Sequence, residues 1–206
     1  MDGVTTQRLI EWGYAARALP GQDESGDRHI VRFFPHGVLL GAIDGLGHGE
    51  EAAVAARRAV LTLEDYSNES PLTLIKECHE QLRGTRGVVM TLASLSFAYN
   101  TISWLGVGNV EGLLLRADAR TGTAKQRILS RPGVVGYQLP RLAASELPLA
   151  KDDLLVFATD GIDGGFTEII NRQDSAQAIA DHICSRFAKN TDDALVLVTR
   201  YLGIGL

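Results

Sequence analysis

A chain of 206 residues suits one domain, or at most two small ones. Its composition, 45% hydrophobic and 22% charged, excludes a disordered polypeptide. The net charge of −5, with no more than two adjacent Lys or Arg anywhere, leaves no basic track for nucleic acid or an anionic membrane surface.

The first predicted strand covers residues 8–18, with Trp12 and Tyr14 alternating in part. A polar loop, residues 20–27, follows it. Strands over 29–34 and 38–43 are joined by the turn Pro35-His36-Gly37. A helix is predicted over 50–66, with Ala56, Ala59, Val60 and Leu63 at helical spacing. Glu50 and Glu51 fall in its first turn, where the helix dipole favours anions. Ser70-Pro71 pairs an N-cap with the residue best tolerated at the first helical position. The helix it opens carries a stripe of Leu72, Ile75, Cys78 or His79, and Leu82.

The middle is strand-rich. Residues 87–97 and 101–106 flank the turn Ala98-Tyr99-Asn100, and 110–116 and 125–129 form a hairpin around Arg120-Thr121-Gly122. Residues 130–140, with Pro132, Gly133 and Gly136, read as a loop. Strands over 142–147 and 154–159, a helix over 175–188 with Ile179, Ile183 and Phe187 on one stripe, and a strand over 194–202 complete the chain. Helices come in blocks, so strict strand–helix alternation is absent. Strands apolar on both faces, such as 154–157, call for cover on both sides. The expected fold is therefore α+β, two stacked and mostly antiparallel sheets with helices outside, in a single domain spanning 1–206.

Cys78 and Cys184 fall in helical patterns and read as lone buried thiols. The start, Met1-Asp2-Gly3, lacks a basic segment followed by an apolar core, and no apolar run approaches a membrane span. A cytoplasmic location, no membrane partner and a monomer are the expectations.

The chemistry sits at strand ends. One apolar run delivers Asp44-Gly45-Leu46-Gly47-His48-Gly49, another Asp160-Gly161, and Asp192-Asp193 opens the last strand. Desolvating a carboxylate inside a strand costs too much, whereas a rim can hold one beside a cation. Three such ends can converge on hard divalent ions, which favour carboxylate and carbonyl oxygens, and no Cys/His set here suits zinc. No Cys-X5-Arg phosphate cradle is present. Taken singly, each Asp-Gly is also ordinary turn chemistry, and Asp192-Asp193 is also a plausible strand-initiating cap.

Four motifs in order carry a resemblance: Asp44-Gly45-Leu46-Gly47-His48-Gly49, Gly106-Val107-Gly108-Asn109, Thr159-Asp160-Gly161-Ile162 and Asp192-Asp193-Ala194. Over residues 26–202 the chain resembles the PPM family, the type 2C metal-dependent protein phosphatases. Within it the likeness is to short bacterial serine phosphatases of the RsbX and SpoIIE kind. The resemblance implies an αββα sandwich with two Mn²⁺ or Mg²⁺ ions at one rim. It implies Asp44 as the bridging ligand, the Gly45 carbonyl beside it, and Asp160 on the first metal. Asp192 completes that site, with Asp193 as the alternative, and Asp27 lies on the second-metal side. Asp44 and Asp160 are thus the implied catalytic residues. The implied reaction is attack of a metal-bridging hydroxide on phosphoserine or phosphothreonine, without a covalent phosphoenzyme.

Arg28 is a candidate grip for the substrate phosphate, against a structural role. His48 is a candidate acid for the leaving oxygen, against packing at the helix N-terminus. Many relatives place a histidine directly after the Asp-Gly pair, where this chain has Leu46. Gly106, Gly108 and Asn109 read as structural, with Asn109 bonding to backbone. The implied partner is a phosphorylated bacterial signalling regulator, specifically a stressosome scaffold protein. A shortened flap between Gly108 and Asp160 leaves the cleft open to it. The alternatives are a catalytically silent phosphoprotein-binding relative and a metal-dependent phosphodiesterase or nuclease. Retention of Asp44, Gly45, Asp160 and Asp192 weighs against the first, the acidic charge against the second.

Overall fold

The computed structural model of the chain describes residues 9–118 and 123–203. The chain start with its signal-peptide reading, the Arg8 strand start, and the turn at Arg120-Thr121-Gly122 lie outside the described residues. Among the described residues ten strands form two five-stranded antiparallel sheets. One sheet runs β1 (Ile10–Arg17), β10 (Ala194–Tyr201), β9 (Leu154–Ala158), β6 (Glu111–Leu115) and β7 (Lys125–Arg127). The other runs β2 (Asp27–Phe34), β3 (Gly37–Gly45), β4 (Val88–Ser96), β5 (Thr101–Val107) and β8 (Ser145–Pro148). Helices α1 (Glu50–Asp65) and α2 (Pro71–Gln81) cover the β2–β8 sheet, and α3 (Ala176–Phe187) covers the other.

Three apolar layers hold this αββα sandwich together. Between the sheets lie Leu40, Leu95, Trp104, Phe157 and Leu197. Ile43, Met90 and Leu92 of one sheet meet Ala59, Leu63 and Ile75 of α1 and α2. Val156 and Val198 of the other meet Ile179 and Ile183 of α3. Alternate residues of each central strand feed opposite layers, which is why β3, β9 and β10 read as unbroken apolar runs.

The departures from expectation are local. Strand β2 begins at Asp27, where Asp27 pairs in register with Asp44 of β3. Strand β8 is short and shifted toward Pro148, because only Thr101–Trp104 of β5 pair with it, and an edge tolerates a proline. A 3-10 turn over Phe166–Ile169 was not foreseen. In α2 the buried positions are Leu74, Ile75 and Cys78, with Leu72 half-buried. His79 instead accepts a hydrogen bond at Nδ1 from the Gly136 N–H at 3.0 Å. Both cysteines are free, and only Cys78 is fully buried. The outer edge of β1 is blunted by Gln177 of α3. Its side-chain amide accepts from the Tyr14 N–H (3.2 Å) and donates to the Tyr14 carbonyl (2.8 Å), occupying groups that would otherwise recruit another strand.

Two glycines let acidic segments close up at one rim. A Cβ on Gly161 would stand 1.7 Å from the Asp193 carbonyl oxygen. A Cβ on Gly45 would stand 2.2 Å from the Ala52 carbonyl oxygen in α1. Gly161→Ala should therefore destabilise the fold by roughly 3 kcal/mol, lowering Tm by on the order of 6 °C or more. Gly164 has open space around it, so Gly164→Ala should move stability by no more than about 0.5 kcal/mol. Thermal melts of the two variants beside the parent check this.

Candidate metal centre

The antiparallel topology puts four acidic strand ends at one rim. Asp44 closes β3 and Asp27 opens β2, opposite it in register. Strands β9 and β10 pair with Ala158 opposite Val196, so Asp160 leaves the sheet where Asp192 and Asp193 enter it.

Thr159 stitches the sheets together there. Its hydroxyl donates to Asp27 Oδ2 at 2.6 Å, and the Leu195 N–H donates to that hydroxyl at 2.9 Å. Asp193 is buried and clamps the loop before β2: its Oδ1 accepts from the Leu19 N–H (2.7 Å) and its Oδ2 from the Gly26 N–H (2.6 Å). The Gly45 N–H donates to the Gly26 carbonyl at 3.1 Å, tying that loop to the end of β3.

The rim opens into a cleft of about 580 Å³ lined by Asp44, His48, Asn109, Asp160, Thr191 and Asp192, with Gly47, Gly108, Pro132 and Val134 completing its walls. Of the expected site residues, Asp44, His48, Asp160 and Asp192 thus face one space. Asp27 and Asp193 are buried and lie outside its lining. Arg28 does not line the cleft: its Nη1 donates to the carbonyls of Ser25 (2.7 Å) and Asp27 (2.8 Å), a local structural use. Asn109 departs from its expected backbone bond. Its amide donates to Asp160 Oδ2 at 2.6 Å. Lys189 adds a bond from Nζ to the Asp160 carbonyl at 2.6 Å. Sequence reasoning quoted Thr159 within a motif without foreseeing its bridge to Asp27, and it missed Lys189, because a loop lysine carries no motif of its own.

Crowded carboxylates raise one another's proton affinity. Burial pushes Asp44 up to about 9, and the charges of Asp27, Asp160, Asp192 and Asp193 add to this. Burial raises Asp27 to about 7, against the Thr159 hydrogen bond and with the help of Asp193, Asp160 and Asp192. Asp192 is raised by burial, while the Asp193 N–H and His48 pull the other way.

Among the described residues no group of three or more Asp, Glu, His or Cys side chains is gathered closely enough to hold a metal ion as it stands. The carboxylates instead line an open space with no Lys or Arg in its walls. Three carboxylates, with His48 as the one imidazole in the lining, and room for retained waters fit a hard divalent cation.

Comparison with known proteins identifies the family and the fold. The two-sheet, helix-flanked architecture is that of the PPM-type serine/threonine phosphatases. The sequence profile of Stage II sporulation protein E (SpoIIE) matches residues 35–202, and the chain belongs to that family. A protein solved in work on the bacterial stressosome, as a modular system adapted to control secondary messenger signalling, superposes with a TM-score of 0.85 at 30% identity. That match covers 93% of this chain and 99% of the other. RsbX in complex with magnesium gives a TM-score of 0.82 at 18% identity, over 93% of this chain and 94% of RsbX. The phosphatase domain of SpoIIE from Bacillus subtilis, solved with a fragment of its regulatory domain, gives 0.75 at 21% identity, over 93% of this chain and 63% of that one. The last two likenesses speak for the fold alone. No curated protein sequence matches the chain.

The raised carboxylates set a pH signature. Without metal, folded Asp44 and Asp27 hold protons that the unfolded chain releases near pH 4. The stability this gives is complete below that pH and is lost as pH rises through about 7 and then about 9. Asp44→Asn keeps the shape and removes the charge. In chelator the variant should come closest to the parent below about pH 4 and exceed it in Tm by a margin that grows toward pH 8. Paired thermal melts across this range check the widening gap.

Proposed function

We propose that this chain is a metal-dependent phosphatase acting on phosphoserine or phosphothreonine in a signalling protein. The observation that carries the reading is the meeting of Asp44, Asp160 and Asp192, from three distant strand ends, on one cleft of a SpoIIE-family domain. Two Mg²⁺ or Mn²⁺ ions bound there would supply an acidified water at neutral pH and offset phosphoryl charge.

The chain's residues divide the remaining tasks. Asp44 is proposed to hold both ions, with the Gly45 carbonyl beside it. Asp160 and Asp192 would hold one of them, with Asp27 on the side of the other. Asp193 is better suited to fixing the loop before β2, because both its oxygens already accept backbone N–H groups. Asn109 fixes the Asp160 carboxylate in one orientation. His48, exposed in the cleft, is placed to carry a proton to a leaving serine oxygen.

The proposed substrate is a phosphorylated bacterial regulator in the cytoplasm, with a stressosome scaffold as the specific candidate. The full-length likeness to a stressosome-associated protein supports it. No helix among the described residues is long and apolar enough to cross a membrane. Removing a phosphoryl group erases roughly −1.5 to −2 charge, a large switch for such a partner.

Aryl phosphate and phosphoserine-peptide hydrolysis with Mn²⁺ present, with EDTA added, and with Asp44→Asn tests the reading. Turnover is expected in the first only, with the variant still folded. Full turnover in EDTA contradicts it. Metal binding without turnover of any phosphopeptide or phosphoprotein points instead to a silent phosphoprotein-binding relative. Asn109→Ala, which frees Asp160, should weaken Mn²⁺ affinity about 10- to 100-fold by calorimetry.

A further inference from the structure

The cleft walls carry Asp44, Asp160 and Asp192 and no arginine or lysine. Two divalent ions would exceed those three carboxylates by about one charge, whereas a phosphoserine brings roughly −1.5 to −2. With substrate bound, the site is short of positive charge unless the chain adds a cation. Arg28 is committed to backbone carbonyls, and Lys189, outside the lining, to the Asp160 carbonyl and Asp163, so neither supplies it without leaving those partners.

Arg86 stands where two cleft-lining loops meet. Its Nη1 occupies the space over Gly47: a Cβ on Gly47 would lie 2.5 Å from it. Gly47 is itself part of the cleft wall. The next residue, Gly87, abuts Val134 of the opposite wall, with a Cβ there falling 2.6 Å from Val134 Cγ1. The Arg86 side chain is 48% exposed and pairs through Nη2 with Glu51, which is 70% exposed. No acceptor for Nη1 is found among the described residues.

We propose that Arg86 is the substrate-binding cation of this cleft, exchanging Glu51 for the phosphoryl oxygens of the bound phosphoserine. The proposal rests on the phosphatase reading above. An exposed Arg–Glu pair is weak and screened. A guanidinium fork on a phosphoryl dianion is stronger and bidentate, so the exchange runs toward substrate. Glu51 then stores the side chain near the cleft mouth between turnovers.

Steady-state kinetics with Mn²⁺ on an aryl phosphate and on a phosphoserine peptide test this. Arg86→Ala should raise KM about 10-fold on both substrates, and the inhibition constant of inorganic phosphate equally, with a smaller change in kcat. Arg86→Lys should recover only part of the loss. Glu51→Gln should lower KM, by up to about 5-fold. Arg83→Ala, which removes a surface pair with Glu80, should leave all of these unchanged. Mn²⁺ affinity by calorimetry should be the same in every variant, which separates a substrate contact from damage to the metal site. Unchanged KM and phosphate inhibition in Arg86→Ala overturn the proposal. A rise confined to the peptide overturns it too, placing Arg86 on the substrate's flank. If the parent turns over neither substrate, the phosphatase reading fails on its own. Arg86 is then judged by binding of the peptide and of inorganic phosphate to the Mn²⁺-loaded chain: weaker in Arg86→Ala supports the proposal, equal affinity overturns it.

Discussion

Like charges repel, and this fold brings them together regardless. Asp27, Asp44, Asp160 and Asp192 come from four places in the chain and converge at one rim of the sandwich. Burial and mutual repulsion raise the proton affinity of Asp44 and Asp27 far above that of an ordinary carboxylate. A structure that tolerates such crowding needs compensation. Here it comes from the Thr159 hydroxyl on Asp27, the backbone N–H groups on Asp193, and the Asn109 amide on Asp160. Lys189 adds its ammonium on the Asp160 carbonyl, outside the cleft lining, and the carboxylates that face the cleft are left for the divalent ions proposed above.

The scaffold accounts for why the crowding survives. Three apolar layers fix the two sheets, so the strand ends have no freedom to splay apart. Thr159 and Asp193 then reach from one sheet to the opening of β2 in the other. Gly45 and Gly161 remove the side chains that would hold the segments apart. Stability resides in the layers and chemistry in the rim, and a few buried polar contacts couple the two. Buried polar groups of this kind are tolerated because each is hydrogen-bonded.

Much of this was legible in the sequence. The runs ending at Asp44 and Asp160 are apolar on both faces, so they had to be covered strands, and their carboxylates had to fall at an edge. Ser70-Pro71 marked a helix start because the serine hydroxyl caps, as the bond from the Thr73 N–H shows. The division of labour within Asp192-Asp193 was not legible. Two adjacent identical residues differ only in direction, and direction is set by where Leu19 and Gly26 come to lie. Asn109 was placed on the right loop but given the wrong partner, because Asp160 is remote in sequence and joins it only once β6 and β9 pair. Arg28 and Arg86 look alike as letters. One is spent on its own loop and the other stands over the cleft wall, a distinction only packing makes.

Anomalous diffraction from crystals equilibrated with Mn²⁺ would test the central claim most directly. The account predicts two manganese peaks inside the cleft, both touching Asp44, one shared with Asp160 and Asp192. An empty cleft at saturating Mn²⁺, or peaks at surface carboxylates only, would contradict it.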